Sequence, residues 1–365
     1  MALQDEILKQ SAQIKTDSYP MSIGELMNLY RDNELDVHPE FQRIYRWTDS
    51  QKTRLIESIL LGIPIPPIFV AQRKDGVWDV VDGVQRLSTI FQFVGELKDE
   101  NGKQMPPLAL EATKFLPSLG GKTWIGENSF TRDQQLYIKR AKIDVNIVLK
   151  ESDDKSKYEL FMRLNTGGTA LSPQEVRNCL MVMAYPETYA WIRELSEDTD
   201  FINAVSLSDQ LTSEQYPMEL VTRFLVFRTL AVKELSAVGD IGDFLNGKLE
   251  ALHKLSKKQR EIEEAAFRET FRTLSRELQD DAFRRFDANK SKWLGGFSIS
   301  AFEVVALGIG YNVPSSGAYK VPKKLTERVQ SIWANPEFTS NSGSGVRAST
   351  RIPQIVPLGR RLFAP

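Results

Sequence analysis

Cysteine is almost missing from this chain. Cys179 is the single example, so no intramolecular disulfide forms, and the composition suits a reducing compartment. It stands in the apolar helical run 176–183, where a buried structural thiol is expected rather than a nucleophile. Histidine is nearly as scarce. His38 and His253 are the only two, too few for a zinc site built on His and Cys or for a nuclease that needs paired histidines. Neither neighbourhood suggests a Ser-His-Asp triad. Zinc and haem are not expected. Long hydrophobic runs are absent as well: the most apolar helix candidate, around 301–309, is too short to span a bilayer and contains Glu303. The N-terminus carries no basic, then apolar, leader. The expected location is cytoplasmic, with no membrane partner. An excess of one charge is also lacking. Lys and Arg total 47 against 48 Asp and Glu, so the whole chain carries no electrostatic signature of nucleic-acid binding, and only a local patch stays open.

What is present is ordinary for a globular protein: 41% hydrophobic and 26% charged over 365 residues, which leaves room for two domains. One stretch organises the reading, Trp78-Asp79-Val80-Val81-Asp82-Gly83-Val84-Gln85-Arg86-Leu87-Ser88-Thr89-Ile90-Phe91. Val80 and Val81 are β-branched and precede an Asp-Gly break; Leu87, Ile90, Phe91 and Val94 then recur at helical spacing. A strand therefore runs into a helix across a very short turn. Asp82, Gln85 and Arg86 crowd that junction, where the first helical N–H groups lack internal partners and carry positive partial charge. Two readings fit. Asp82 with Gln85 has the spacing of a capping box with Asp82 as N-cap. The same junction is a ready anion site.

Around this stretch, residues 1–18 form a polar segment, loosely ordered or an exposed helix. Ser22 and Glu25 cap a helix bearing Leu26, Leu29 and Tyr30, and Leu35 and Val37 mark a short strand. Phe41-Gln42-Arg43-Ile44-Tyr45-Arg46-Trp47 interleaves aromatics with arginines; if extended, Phe41, Arg43, Tyr45 and Trp47 share one face. That face suits base stacking and phosphate contact, or equally a core face over which arginines snorkel. Thr48 and Gln51 cap the next helix, which stops at Gly62. Residues 68–70 and 77–81 form a hairpin around Lys74-Asp75-Gly76, giving the order α–β–α–β–β–α. Residues 98–131 look like an insertion whose Leu108, Leu110, Phe115, Leu116 and Trp124 cover the core. Residues 142–149 alternate as a strand. A helix from Ser156 ends at Gly167-Gly168, and Ser172, Pro173 and Glu175 start another. Asn165 and the glycine pair either present amides to a ligand or simply stop a helix. Helix candidates follow at 172–184, 187–196, 214–235, 240–254, 257–286, 298–311 and 322–333. The tail, 320–365, carries Lys320, Lys323, Lys324, Arg328, Arg347, Arg351, Arg360 and Arg361 against Glu327 and Glu337. It is either a phosphate-binding patch or a solvated face.

Taken in order, Phe41-Gln42-Arg43-x-Tyr45-x-Trp47, Leu55-Ile56-x-Ser58-Ile59-Leu60, Pro64-x-Pro66-Pro67, Asp82-Gly83-Val84-Gln85-Arg86 and Phe161-x-x-x-Asn165-Thr166-Gly167-Gly168 with Leu171-Ser172 resemble one family. It is the N-terminal, GmrS-type domain of GmrSD modification-dependent (type IV) restriction enzymes, and the likeness covers residues 20–180. It implies a ParB/sulfiredoxin-like α/β domain at 19–180; with the polar segment at 1–18 and the mainly helical domain with the basic tail at 181–365, the expected chain is α+β. It also implies that a nucleoside triphosphate is bound and hydrolysed with Mg2+ through an Asp-Gly-Gln-Gln-Arg motif, which regulates a DNA-cutting partner in prokaryotic anti-phage defence. Here the motif's middle glutamine is Val84. The histidine-bearing metal motif of the relatives' nuclease domain has no counterpart, so a stand-alone GmrS-like module with a separate nuclease partner is expected.

Carried over, the catalytic set is Asp82, Gln85 and Arg86, with Asp82 also the candidate ligand of a divalent cation. Nucleotide contacts are expected from Gln42, Arg43, Tyr45, Trp47, Gly83, Arg163, Asn165, Thr166 and Gly167. Arg43 and Arg86 would neutralise phosphate oxygens through forked guanidinium donors, and helix N–H groups after Gly83 would bind another. Asp82 would hold the cation or orient the attacking water, and Tyr45 or Trp47 would stack on the base. Two alternatives stand beside hydrolysis: a non-catalytic nucleotide sensor, and a ParB-like DNA-binding or nicking protein using the 320–361 tail. Self-association is left open.

Overall fold

A computed structural model describes residues 3–4, 15–37, 47–99, 102–150, 172–315, 319–343 and 345–365. The expected helix from Ser156 and the 38–46 segment lie outside these residues, as do the side chains of Cys179 and Met183. The chain divides into two units, residues 1–170 and 171–365.

In the first unit, β1 (Thr16–Ser22), β2 (Leu35–Asp36), β3 (Ile68–Gln72), β4 (Trp78–Asp82) and β5 (Lys142–Val148) form one mixed sheet in the order β1-β5-β3-β4-β2. The β3–β4 hairpin is antiparallel, β3 runs parallel to β5, and β2 runs parallel to β4. The helices are α1 (Ile23–Arg31), α2 (Asp49–Leu60), α3 (Val84–Phe93) and α4 (Arg132–Arg140). Alternation along β5 buries Ile143, Val145 and Ile147, and these join Leu26, Ile56, Ile68, Leu87 and Phe91 in one core. Thr48 and Gln51 make the expected capping box on α2. Leu108, Leu110 and Trp124 of the 98–131 segment enter the core, but Phe115 is 70% exposed and does not. The polar N-terminal segment also differs from expectation: it becomes strand at Thr16, paired antiparallel with β5. β1 is the sheet edge and exposes Thr16–Pro20, so no apolar alternation betrays it. Pro20, lacking an N–H, is tolerated on such an edge.

The second unit contains α5 (Pro173–Ala184), α6 (Pro186–Ser196), α7 (Thr199–Val205), α8 (Asp209–Ser213), α9 (Tyr216–Phe227), α10 (Val232–Leu235), α11 (Ile241–His253), α12 (Lys257–Leu278), α13 (Ile299–Asn312), α14 (Leu325–Ser331), α15 (Pro336–Thr339) and α16 (Ala348–Leu362), with a small hairpin of β6 (Arg285–Asp287) and β7 (Lys292–Leu294). Ser172, Pro173 and Glu175 start α5 as a full capping box. The candidate 214–235 is broken into α9 and α10, and at the break Arg360 Nη2 donates to the carbonyls of Phe227 (2.9 Å) and Leu230 (2.8 Å). The candidate 257–286 stops at Leu278, where Gln279 takes a positive φ of 50°. Helix α16 was not anticipated, since Pro353 and Pro357 lie inside it and interior prolines disfavour helix. It is held by backbone contact: a Cβ on Gly359 would lie 2.1 Å from Val304 O in α13. His253 is a satisfied helix residue, its Nδ1 3.3 Å from Thr188 Oγ1. Among the described residues no helix is long and apolar enough to cross a membrane.

Much of the tail's positive charge is used inside this unit. Arg328 Nη1 donates to Leu362 O (2.9 Å) and Ala364 O (2.7 Å), and Arg361 pairs with Glu337 at 2.7 Å. Arg351 meets Glu303 at 2.7 Å, and Arg223 meets the same carboxylate at 2.9 Å. Glu303 is fully buried, and Arg223 also pairs with Glu219 at 2.6 Å. Glu303→Ala should destabilise the second unit by about 3–5 kcal/mol, because it leaves the buried Arg351 guanidinium without its carboxylate and takes one of two carboxylates from Arg223. The readout is the urea-unfolding midpoint of the full chain; a loss below about 1 kcal/mol would mean that water reaches and solvates Arg351.

Candidate functional site

The strand-to-helix junction at residues 82–86 is built by three local devices. The first is a bulge. Phe69 lies opposite Asp82 and Val70 opposite Val80, so Val81 is the extra residue that re-aims the end of β4. The second is Gly83, whose φ of +103° is left-handed and whose added Cβ would lie 2.4 Å from Ile68 Cγ2. No L-residue with a side chain fits that backbone and that contact together. The third is the helix start itself. Gly83 is the N-cap of α3, and among the described residues no side chain caps it. The capping-box reading of Asp82 and Gln85 is therefore overturned: the turn comes one residue later than that spacing assumed, and the Asp82 carboxylate is used elsewhere.

Its use is an ion pair. Arg86 Nη2 lies 2.7 Å from Asp82 Oδ2, one helical turn away. The other end of the same guanidinium, Nη1, donates to Pro67 O at 3.0 Å and to Pro66 O. One arginine thus ties the end of β4, the first turn of α3 and the entry to β3 together. The Arg86 side chain is only 12% exposed, while that of Asp82 is 39% exposed. Among the described residues the Asp82 hydrogen bond uses Oδ2 alone. Gln85 Oε1 accepts from the Trp47 N–H at 3.3 Å, and Gln85 O accepts from Thr89 Oγ1 at 2.7 Å. Trp47, Asp82, Gly83, Gln85 and Arg86 are thus brought together. Val84, the position that departs from the family motif, turns its side chain to the core. Gln42, Arg43, Tyr45, Arg163, Asn165, Thr166 and Gly167 lie outside the described residues.

Beside the junction is a charged cluster that no motif marks. Arg73 pairs with Asp36 at 2.7 Å and with the buried Asp79. Burial opposes the Arg73 charge, but Asp79 and Asp36 outweigh it and hold its pKa above the ordinary value. The cluster pins short β2 to the β3–β4 hairpin. Asp36 stands 37 positions ahead of Arg73, and only strand pairing brings it to the hairpin that carries Arg73 and Asp79.

Chemically, an uncapped helix start offers N–H donors and positive partial charge to an anion, and an adjacent, partly exposed carboxylate offers an oxygen to a hard cation. Among the described residues no three His, Cys, Asp or Glu side chains gather as a metal cage. That donor set fits Mg2+ held by one carboxylate with phosphate oxygens and water, and does not fit an all-protein site.

Residues 23–182 match the sequence model of a family described as "GmrSD restriction endonuclease, N-terminal domain". No curated protein and no solved structure matches the chain.

The geometry separates two substitutions at neighbouring positions. Gly83→Ala should lower stability by about 2–4 kcal/mol, from a left-handed residue with a side chain and a core clash. Asp82→Ala should change it by less than about 1 kcal/mol, as a partly exposed ion pair. Chemical denaturation of both variants checks the contrast; equal losses would mean that Asp82 is chiefly a structural brace.

Proposed function

Because residues 23–182 belong to the GmrS-type N-terminal domain family, we propose that this chain is a nucleotide-responsive regulator in a GmrSD-type restriction system. It binds a nucleoside triphosphate with Mg2+ at the β4–α3 junction, hydrolyses it, and controls a separate nuclease in anti-phage defence. The proposal includes a ParB/sulfiredoxin-like reading of the first unit. The observation that carries it is the Asp82 carboxylate, held at one oxygen by Arg86 beside the uncapped start of α3.

The roles follow from that placement. Asp82 takes the cation or orients water. The N–H groups of the first turn of α3 receive a phosphate oxygen. Arg86 acts differently from the expectation of a free phosphate clamp: three of its five donors go to Asp82 and to two carbonyls. It is a positioning residue, and the clamp falls to Arg43, four residues ahead of Trp47 in sequence. Gln85, joined to the Trp47 N–H, links that arginine-bearing segment to the helix. A second reading, binding without turnover, is favoured by Val84, which brings no amide to the motif and packs inward. DNA contact through the 320–361 tail is less well supported, since Arg328, Arg351, Arg360 and Arg361 all have intramolecular partners.

Calorimetric titration of the purified chain with each of the common nucleoside triphosphates and Mg2+, with phosphate release followed on the same sample, tests this. At least one nucleotide should saturate a site, and Asp82→Ala should weaken it tenfold or more, about 1.4 kcal/mol. Saturation without phosphate release would select the sensor. No saturable binding by any nucleotide would remove the proposal.

A further inference from the structure

The loop that leaves α2 is apolar throughout and lies on the surface. Leu61-Gly62-Ile63-Pro64-Ile65-Pro66-Pro67 holds no polar side chain, and Leu61 and Ile63 are 44% and 49% exposed. A contiguous apolar patch of this kind marks an interaction site, whereas scattered single residues do not. Its prolines fix the backbone, so little conformational freedom is lost on docking. The loop lines a cleft of about 520 Å³ together with Tyr137, Arg140 and Lys142. Tyr137 is itself 51% exposed. Asp133 also lines the cleft, so its rim is net basic.

On the other flank of α4 stands a feature with the matching chemistry. Ile125 is 78% exposed, and Glu127, two positions on, is exposed beside it. The loop that carries them is braced. Thr123 Oγ1 donates to Ile125 O at 2.9 Å, Asn128 Nδ2 donates to Gly121 O at 2.8 Å, and Gly126 takes a φ of +114°. Its base leans on α4, where Gln135 Nε2 donates to Trp124 O at 2.8 Å and Lys139 sits 5.9 Å from the Trp124 ring centre. The result is a rigid apolar knob with a carboxylate next to it. Asp133, Tyr137 and Arg140 face the cleft, whereas Gln135 and Lys139 face the knob, so the two features are about one helix diameter apart, roughly 10 Å.

A knob and a complementary cleft on adjoining parts of one surface are what an isologous pair requires. Rotation about an axis crossing α4 lays each knob over the other copy's cleft. We propose that this chain forms a two-fold homodimer through α4, with Ile125 of each copy seated in the cleft between Ile63 and Tyr137 of the other and Glu127 facing Arg140 and Lys142. The inference does not depend on the nucleotide reading.

Sedimentation velocity of the full chain from about 1 to about 100 µM, where an interface of ordinary quality is populated, should detect a dimer. Ile125→Glu and Ile63→Glu should each weaken it at least tenfold while circular dichroism and the unfolding midpoint stay unchanged, because both side chains are exposed. Glu127→Lys alone and Arg140→Glu with Lys142→Glu should each weaken it, and the three changes combined in one chain should restore it. A chain that stays monomeric throughout, as it would if the cleft takes an acidic segment of a different protein, overturns the proposal. So does a dimer indifferent to Ile125→Glu and Ile63→Glu, or a charge-swapped chain no tighter than its parents.

Discussion

The first unit's site depends on a single guanidinium. Arg86 donates to Asp82, Pro66 and Pro67, groups that belong to the end of β4 and to the loop entering β3. Two adjacent prolines leave carbonyls with no neighbouring N–H of their own, and Arg86 answers that need directly. Asp82 is drawn toward the guanidinium instead of over the helix end, and among the described residues no side chain caps the start of α3.

Gly83 makes that arrangement obligatory. Its positive φ and its contact with Ile68 place the first turn of α3 directly against β3. Had the turn been one residue shorter, Asp82 would have stood at the N-cap position and closed the helix end with its own oxygen. The bulge at Val81 completes the geometry by turning the last residue of β4. Backbone shape, more than any side chain, decides whether this carboxylate caps a helix or pairs with Arg86.

This is also where sequence reading reaches its limit. Strands β3, β4 and β5 and helices α1, α2 and α3 were legible because each shows its period and its stop: alternation at 142–148, a capping box at Thr48, a glycine at 62. β1 was not, because an edge strand that buries little has no reason to alternate. α16 was not, because its stability comes from glycine-to-backbone contact with α13, which overrides the two prolines inside it. The members of the 82–86 cluster were legible as a cluster, since a strand-to-helix junction was plain from spacing. Which partner each would choose was not, for Arg86 bonds to carbonyls that a sequence does not point anywhere. Likewise the tail's positive charge reads as a patch in sequence, yet in space most of its arginines meet carboxylates or helix-end carbonyls in pairs.

The same arginine connects the two surfaces proposed for the first unit. A cation bound at Asp82, as proposed, would compete with Arg86 for one carboxylate, since each added positive charge weakens the other's hold. Any loosening of Arg86 is felt at Pro66 and Pro67, which are its remaining acceptors. Those carbonyls end the apolar loop whose Ile63, Pro64 and Ile65 wall the cleft beside α4. The path from cation to cleft is then one side chain and one short, proline-stiffened segment, and a stiff segment transmits a displacement where a flexible one absorbs it. A ligand at Asp82 that displaced Arg86 would therefore be linked to occupancy of the cleft, and the linkage would act in both directions.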